Sequence, residues 1–205
     1  AAMVVAAAEK GYGEYRSHLD QMDLVAEQYA FGGGAHLRMV EKVKDMGYDF
    51  NVGPEFEFFM FPMQNGVPVP IPADAGGYFD LMPQDKGEIA RKEMVLAFDE
   101  LGYDMEASHH EVAPGQLEID LRYQDALTMA DRMLTLKFGV KSIAMNHGLY
   151  ASFMPKPLYG ENGSGMHVHM SLSNKDKNAF YDPEGKWGLS EMAMNYMVGL
   201  LAHAP

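Results

Sequence analysis

Apolar positions at Leu37, Val40, Val43 and Met46 recur with helical spacing, which predicts a helix from His36 with Gly47 able to close its C-terminus. The next stretch, FNVGPEFEFFMF (50–61), is rich in phenylalanine with acids at alternate positions and predicts a strand. NGVPVPIPADAGGYFD (65–80) is a turn-rich loop. Asp85 followed by Glu88 resembles a capping box with Asp in the usual Ser/Thr place. It opens a helix carrying Ile89, Val95, Phe98 and Leu101 and stopped by Gly102. MEASHHEVAPGQLEIDLRY (105–123) predicts two strands around Pro114-Gly115, and a long helix follows from about Gln124 to His147, ended by Gly148. LYASFMP (149–155) and GSGMHVHMSL (163–172) predict two further strands, DPEG (182–185) a turn, and the residues from about Ser190 onward a last helix. Residues 1–34 are Ala- and Gly-rich with weak periodicity and predict loose helix or linker. Strands and helices alternate without strict βαβ regularity, so the expected class is α+β with a largely antiparallel sheet.

Three of these strands share one division. Side chains alternate across a strand. That sets Glu55 and Glu57 opposite Phe56 and Phe58, Glu118 and Asp120 opposite Leu117, Ile119 and Leu121, and His167 and His169 opposite Met166, Val168 and Met170. If Pro114-Gly115 sits at the hairpin tip, Ala113 faces Gln116, Val112 faces Leu117 and Glu111 faces Glu118. Like charges across a ladder are destabilising. At about 4 Å and an effective dielectric near 20 the repulsion is on the order of 4 kcal/mol. The pair is therefore solvated, or one acid is protonated, or a cation lies between them.

Composition narrows the choice. The 205 residues are 47% hydrophobic, enough for one domain with a real core, and the formal charge is −13. That acidity argues against a nucleic-acid or anionic-membrane partner and suits carboxylates that face cations. There is no cysteine, hence no disulfide framework and no thiolate metal site. The opening AAMVVAAAEKGYG is too short to span a bilayer and lacks a basic head, and no later apolar run reaches roughly 18 residues. A soluble, cytoplasmic protein is expected. Carboxylates with one or two imidazoles and no thiolate favour Mg²⁺ or Mn²⁺. His109, His110 and Asp120 are read as structural, Lys156 as a solvated lysine, and the methionines as core filler.

Four stretches, in order, resemble glutamine synthetases of the prokaryotic type I class. They are NVGPEFEFFMF (51–61), EASHHEVAPGQLEIDLRYQDALTMAD (106–131), FMPKPLYGENGSGMHVHMSL (153–172) and FYDPEGKWGLSEMA (180–193). The resemblance runs from about residue 35 to Pro205 and implies a catalytic domain whose curved, largely antiparallel sheet is flanked by helices. It implies ATP-dependent ligation of ammonia to the γ-carboxylate of glutamate through γ-glutamyl phosphate, giving glutamine. It implies that Glu57, Glu111 and Glu118 hold one Mg²⁺ or Mn²⁺, and that Glu55 and His167 hold a second nearer the nucleotide. By the same resemblance Asn162 and Gly163 match positions that hold glutamate. Glu106, Tyr123, His169 and Ser171 match nucleotide positions, with His169 near the phosphates. No side chain is assigned a covalent or acid–base role. Because His167 must be neutral to ligate, metal affinity is expected to fall as pH drops through its titration.

The resemblance also sets expectations for the rest of the chain. Residues 1–34 match nothing in the family and stand as an unassigned segment. Residues 35–205 are expected to be a partial catalytic domain without the family's N-terminal domain and later arginines. Little synthetase activity is then expected of this chain alone, and the family's two stacked six-membered rings are the natural assembly. The alternatives are a ligase of the same fold that joins glutamate to another amine, and a non-catalytic domain that binds metal and nucleotide.

Overall fold

The computed structural model describes residues 33–175 and 177–204, with side chains of the first helix from Arg38 onward. The expectation for residues 1–34 lies outside the described residues except at Gly33 and Gly34, which open the first helix. Helix α1 (Gly33–Asp45) leads through Gly47 into the central strand β1 (Asp49–Gln64), which turns back into the short β2 (Val67–Pro68). A long loop reaches α2 (Glu88–Glu100), then come β3 (Met105–His110), β4 (Gln116–Leu121), β5 (Gln124–Asp125), α3 (Ala126–Asn146) and β6 (Leu149–Ser152). A second loop leads to β7 (Val168–Asn174), β8 (Lys177–Asn178) and the last helix α4 (Glu191–His203).

The sheet runs in the order β3-β4-β1-β7-β8, and β2, β5 and β6 also pair with β1. Every registered pair is antiparallel, and the sheet curls, as the α+β reading expects. β1 serves two neighbourhoods: residues 49–54 pair with β7, and residues 55–59 with β4.

The hydrophobic face of β1 and β4 forms the core. Phe56, Phe58 and Met60 join Leu117, Ile119 and Leu121 beneath Met94 and Phe98 of α2 and Leu136, Val140 and Ile143 of α3. Burying a side chain of this size contributes about 1.5–3 kcal/mol, so this face sets which way the sheet turns and leaves the acids on the other side. Beyond Glu57 that other side turns apolar in its turn, with Phe59, Phe61 and Ala113 in a second small cluster.

Several expectations are corrected. There is no capping box at Asp85 and Glu88. Gly87 is the N-cap of α2 without a side-chain bond, because Asp85 is drawn into a buried ion pair with Arg91 at 2.6 Å. Glu88 accepts from Met82 N–H instead, at 2.7 Å. α2 buries Ala90, Arg91, Met94, Ala97 and Phe98, while Ile89 and Leu101 stay exposed. α3 starts at Ala126 because Asp125 caps it, accepting from Thr128 N–H at 3.1 Å. β6 stops at Ser152, before Pro155 and Pro157 remove backbone donors. Phe153 turns inward against Phe56 and Phe58, with ring centroids 4.7 and 5.5 Å away. β7 begins only at Val168. Its predicted apolar side is not core: Met166 and Val168 are exposed, and Leu172 is its buried residue.

The hairpin register is shifted by two residues from the expected one. Gln116 N–H donates to Ala113 O at 3.0 Å, so Pro114-Gly115 does form the turn, with Gly115 at φ 68°. Pro at the second and a positive-φ glycine at the third position is the type II pattern. That turn fits a tight hairpin poorly, and the strand bulges beyond it. Glu111 N–H donates to Gln116 O, Val112 is extruded, and His109 rather than Glu111 comes to face Glu118.

Candidate functional site

Glu55 and Glu57 project from β1 on the side away from Phe56 and Phe58. The register sets Glu55 across from Asp120, and Glu57 across from Glu118. β3 adds His109, whose Nε2 lies 3.6 Å from Glu118 Oε1. Glu111, displaced by the bulge, still reaches this face. A carboxylate oxygen from each of Glu57, Glu111 and Glu118 lies within 4.8 Å of the others.

Such a cluster is costly to ionise. Glu118 is 6% exposed. Burial, then the charge and hydrogen bond of Asp120, then the charges of Glu111 and Glu55, push its carboxyl up to about 9. Burial also raises Glu57, with Glu111 adding to it against the Gly165 N–H that donates to Oε2 at 3.2 Å. Burial raises Asp120 as well. Of the three ways to relieve the repulsion, these shifts favour a proton shared within the Glu118–Asp120 pair when no cation is bound. Glu57 is held in place by Gln116, whose Nε2 donates to Oε2 at 2.8 Å and to Ser164 Oγ at 3.2 Å.

A second group adjoins the first. Glu55 bridges two exposed imidazoles, with Oε1 2.7 Å from His169 Nε2 and Oε2 2.6 Å from His167 Nδ1. The His169 bond first, and His167 after it, hold Glu55 below the usual carboxylate range against its partial burial. The Glu55 bond in turn raises His167. Beside this group lies a cavity of about 380 Å³ lined by Gly53, Glu55, Glu106, Asp120, Tyr123 and His169.

The predicted residues therefore fall into several neighbouring groups. Glu57, Glu111 and Glu118 converge, and Glu55 and His167 pair beside them. Glu106, Tyr123 and His169 share the cavity, whereas Ser171 lies one strand repeat further along β7, across from Asn51, and does not line it. Asn162 and Gly163 sit in the loop before β7, which is tied down where Ser164 N–H donates to Pro155 O at 2.8 Å. Lys156 Nζ donates to Glu161 O. His110 is core, as read, but the structural reading of His109 is too narrow, because its ring stands between Glu111 and Glu118. Gln116 was also missed. It lies two residues before Glu118 on the same face, and that alternation was the available signal. Phe79 stacks on His109 with centroids 4.5 Å apart, and nothing in the loop sequence points to it.

Oxygen donors with imidazole, drawn together in a half-dry setting that raises the carboxyls of Glu57 and Glu118, fit a hard dication such as Mg²⁺ or Mn²⁺. Glu57, Glu111 and Glu118 would hold one ion. Glu55 and His167 would contribute to a second after their mutual bond opens.

Comparison with known proteins shows the family and the fold. A family model described as "Glutamine synthetase, catalytic domain" matches residues 35–205. Glutamine synthetase of Clostridium saccharobutylicum is 58% identical over 159 residues, covering 77% of this chain and 36% of that protein. Glutamine synthetase of Thermus thermophilus is 53% identical over 169 residues, covering 82% and 38%. Among solved structures, Plasmodium falciparum glutamine synthetase superposes with a TM-score of 0.72 at 28% identity, over 81% of this chain and 39% of that one. A GmaS/ADP complex also gives 0.72, at 34% identity, over 80% and 38%. The chain thus spans a little over a third of the length of the curated relatives it matches.

Proposed function

The chain belongs to the glutamine synthetase catalytic-domain family, and from that premise we propose that its acidic face serves ATP-dependent ligation of ammonia to the γ-carboxylate of glutamate. The observation that carries this reading is the convergence of Glu57, Glu111 and Glu118 beside the Glu55–His167–His169 group and its cavity.

In this reading a γ-carboxylate oxygen of glutamate attacks the terminal phosphorus of ATP, and the bond to ADP breaks. Ammonium gives up a proton to solvent, and the ammonia so formed attacks the acyl carbon of γ-glutamyl phosphate. Phosphate leaves with the bonding electrons, and the nitrogen sheds its extra proton. Bound Mg²⁺ or Mn²⁺ supplies charge neutralisation to the transferring phosphoryl group. The chain's own residues hold and orient. Glu57, Glu111 and Glu118 release the proton held in the cluster to solvent and act as a fixed anionic tripod. Gln116 and Gly165 keep Glu57 aimed. Glu55 and His167 part to provide a second set of donors. The cavity beside Glu106, Tyr123 and His169 receives the nucleotide, in keeping with the ADP named for the GmaS complex. Ser171 contributes further along the same strand. Asn162 and Gly163, in a loop anchored to the tripod through Ser164 and Gln116, meet the glutamate. The exposed stripe of Leu134, Phe138 and Met145 on α3 suits a homo-oligomer or further chain packed against it.

Calorimetry of the full chain with Mn²⁺ and then ADP tests the reading. Binding of both is expected, with Mn²⁺ binding lost in Glu57→Gln and Glu118→Gln. Unchanged Mn²⁺ affinity in both variants would sink it. In the protein that carries this chain, glutamine formed from ATP, glutamate and ammonium is the expected product. A clear preference for ethylamine or putrescine over ammonium would overturn the choice of acceptor.

A further inference from the structure

Glu111 reaches the tripod from an irregular turn, and a regular ladder does not fix its position. Its peptide is instead clamped at both ends. Its N–H donates to Gln116 O at 2.8 Å, and its carbonyl accepts from His110 Nδ1 at 2.6 Å. The His110 ring is fully buried, and its Nε2 meets Asp74 Oδ1 at 3.0 Å. The same Asp74 oxygen accepts from Gly115 N–H at 2.9 Å, on the far side of the turn, and from Gly76 N–H at 3.1 Å. Oδ2 accepts from Lys86 N–H at 3.1 Å. Asp74 is in turn tied to the central strand, since Ala73 N–H donates to Met60 O at 3.0 Å and Met60 N–H to Gly115 O at 2.8 Å. One buried carboxylate thus spans the bulged turn from His110 to Gly115.

We propose that Asp74, acting through His110 and Gly115, is a positioning residue that sets where Glu111 stands relative to Glu57 and Glu118. This rests on the metal reading above. It extends it to a residue that neither touches the carboxylate cluster nor lies on the same strand as any of its members. Bonds that orient a ligand from behind are worth about 10- to 100-fold in metal affinity when removed.

The test is Mn²⁺ binding to the full chain, followed by electron paramagnetic resonance of free Mn²⁺ and by water-proton relaxation of the bound ion. Asp74→Asn is expected to lose about 10- to 100-fold in affinity and to gain a water on the bound ion, as Glu111→Gln does. The double variant is expected to lose no more than Glu111→Gln alone, because both changes remove the same interaction. Unchanged affinity in Asp74→Asn, or losses that add in the double variant, would overturn the proposal. Gly76→Ala provides a second route. A Cβ there would meet His110 Nε2 at 2.8 Å and must displace the ring, without changing any charge. It is read in the same way if Asp74→Asn does not fold. If neither variant folds, Asp74 is a determinant of the fold alone and the proposal fails. Full Mn²⁺ affinity in Glu57→Gln and Glu118→Gln would instead remove the metal reading itself. Normal behaviour of Asp74→Asn beside lost binding in those two removes only the positioning role.

Discussion

Replacing Glu118 by Gln should stabilise the protein when divalent ions are absent and destabilise it, relative to wild type, when they are present. The side chain keeps its volume and loses only its ability to ionise. In the unfolded chain Glu118 titrates near its ordinary value of 4.5, and in the fold its carboxyl is pushed up to about 9. A group raised in this direction costs nothing below pH 4.5. Above it, the fold loses stability steadily until pH passes the folded value. By pH 7 the loss reaches at most about 3 kcal/mol, at about 1.4 kcal/mol per pH step. Gln escapes that loss. For a chain of this size about 1 kcal/mol moves the melting temperature by about 2–4 °C, so a gain of several degrees at pH 7, larger at pH 8, is expected. Thermal melts of both proteins in chelator at pH 5, 6, 7 and 8 read the effect, and repeating them in Mn²⁺ should reverse the order through binding to the wild-type fold. A Glu118→Gln protein that melts below wild type in chelator at pH 8, or a gap that does not widen with pH, would refute the reasoning.

Arg91→Ala would strand Asp85, which is fully buried and whose Oδ2 accepts from Arg91 at 2.6 Å. A loss of about 3–5 kcal/mol in guanidinium melts is expected. Phe58→Ala, at a fully buried position on the core face of β1, should cost about 3–5 kcal/mol by the same measurement. The His110–Asp74 pair should show a pH window. Burial pulls His110 down, but its bonds to Asp74 and to Glu111 O raise it above 6.5, so its share of stability is whole below pH 6.5 and fades as pH climbs through the raised value. Burial pushes Asp74 up, but the His110, Gly115 and Gly76 bonds hold it below 3.8, so its share is whole above pH 3.8 and is lost in stronger acid. The stability difference between wild type and His110→Gln should therefore be largest between about pH 4 and 6.5, read by denaturant melts across that range.

The parts legible in the sequence were those written by alternation. Glu55, Glu57, Glu118 and Asp120 sit opposite buried phenylalanines and leucines because a two-residue repeat admits no other division. The helix of residues 126–146 was equally plain, and its start moved only because Asp125 is a capping residue. What escaped was set by contacts between segments far apart in sequence. The hairpin slipped by two residues because a type II turn splays the strands and needs a bulge to restore their pairing, and that slip exchanged Glu111 for His109 across from Glu118. Asp85 looked like a helix cap because its partner Arg91 cannot be inferred from local spacing. The histidines of GMHVHM were placed on a common face correctly, but their predicted apolar backing was not, since Met166 and Val168 remain exposed.

The sixteen residues of β1 take partners from segments reaching as far as Asn174. A ribosome adding about 5–20 residues per second must work for several seconds after Gln64 emerges before both rims of that strand can be filled. Until then a phenylalanine-rich ribbon with open backbone donors stands exposed as the chain is made, the kind of surface that seeds aggregation. Its alternating glutamates, Glu55 and Glu57, leave one side of the nascent ribbon polar, so the carboxylates proposed to hold ions would also guard it against aggregation during synthesis.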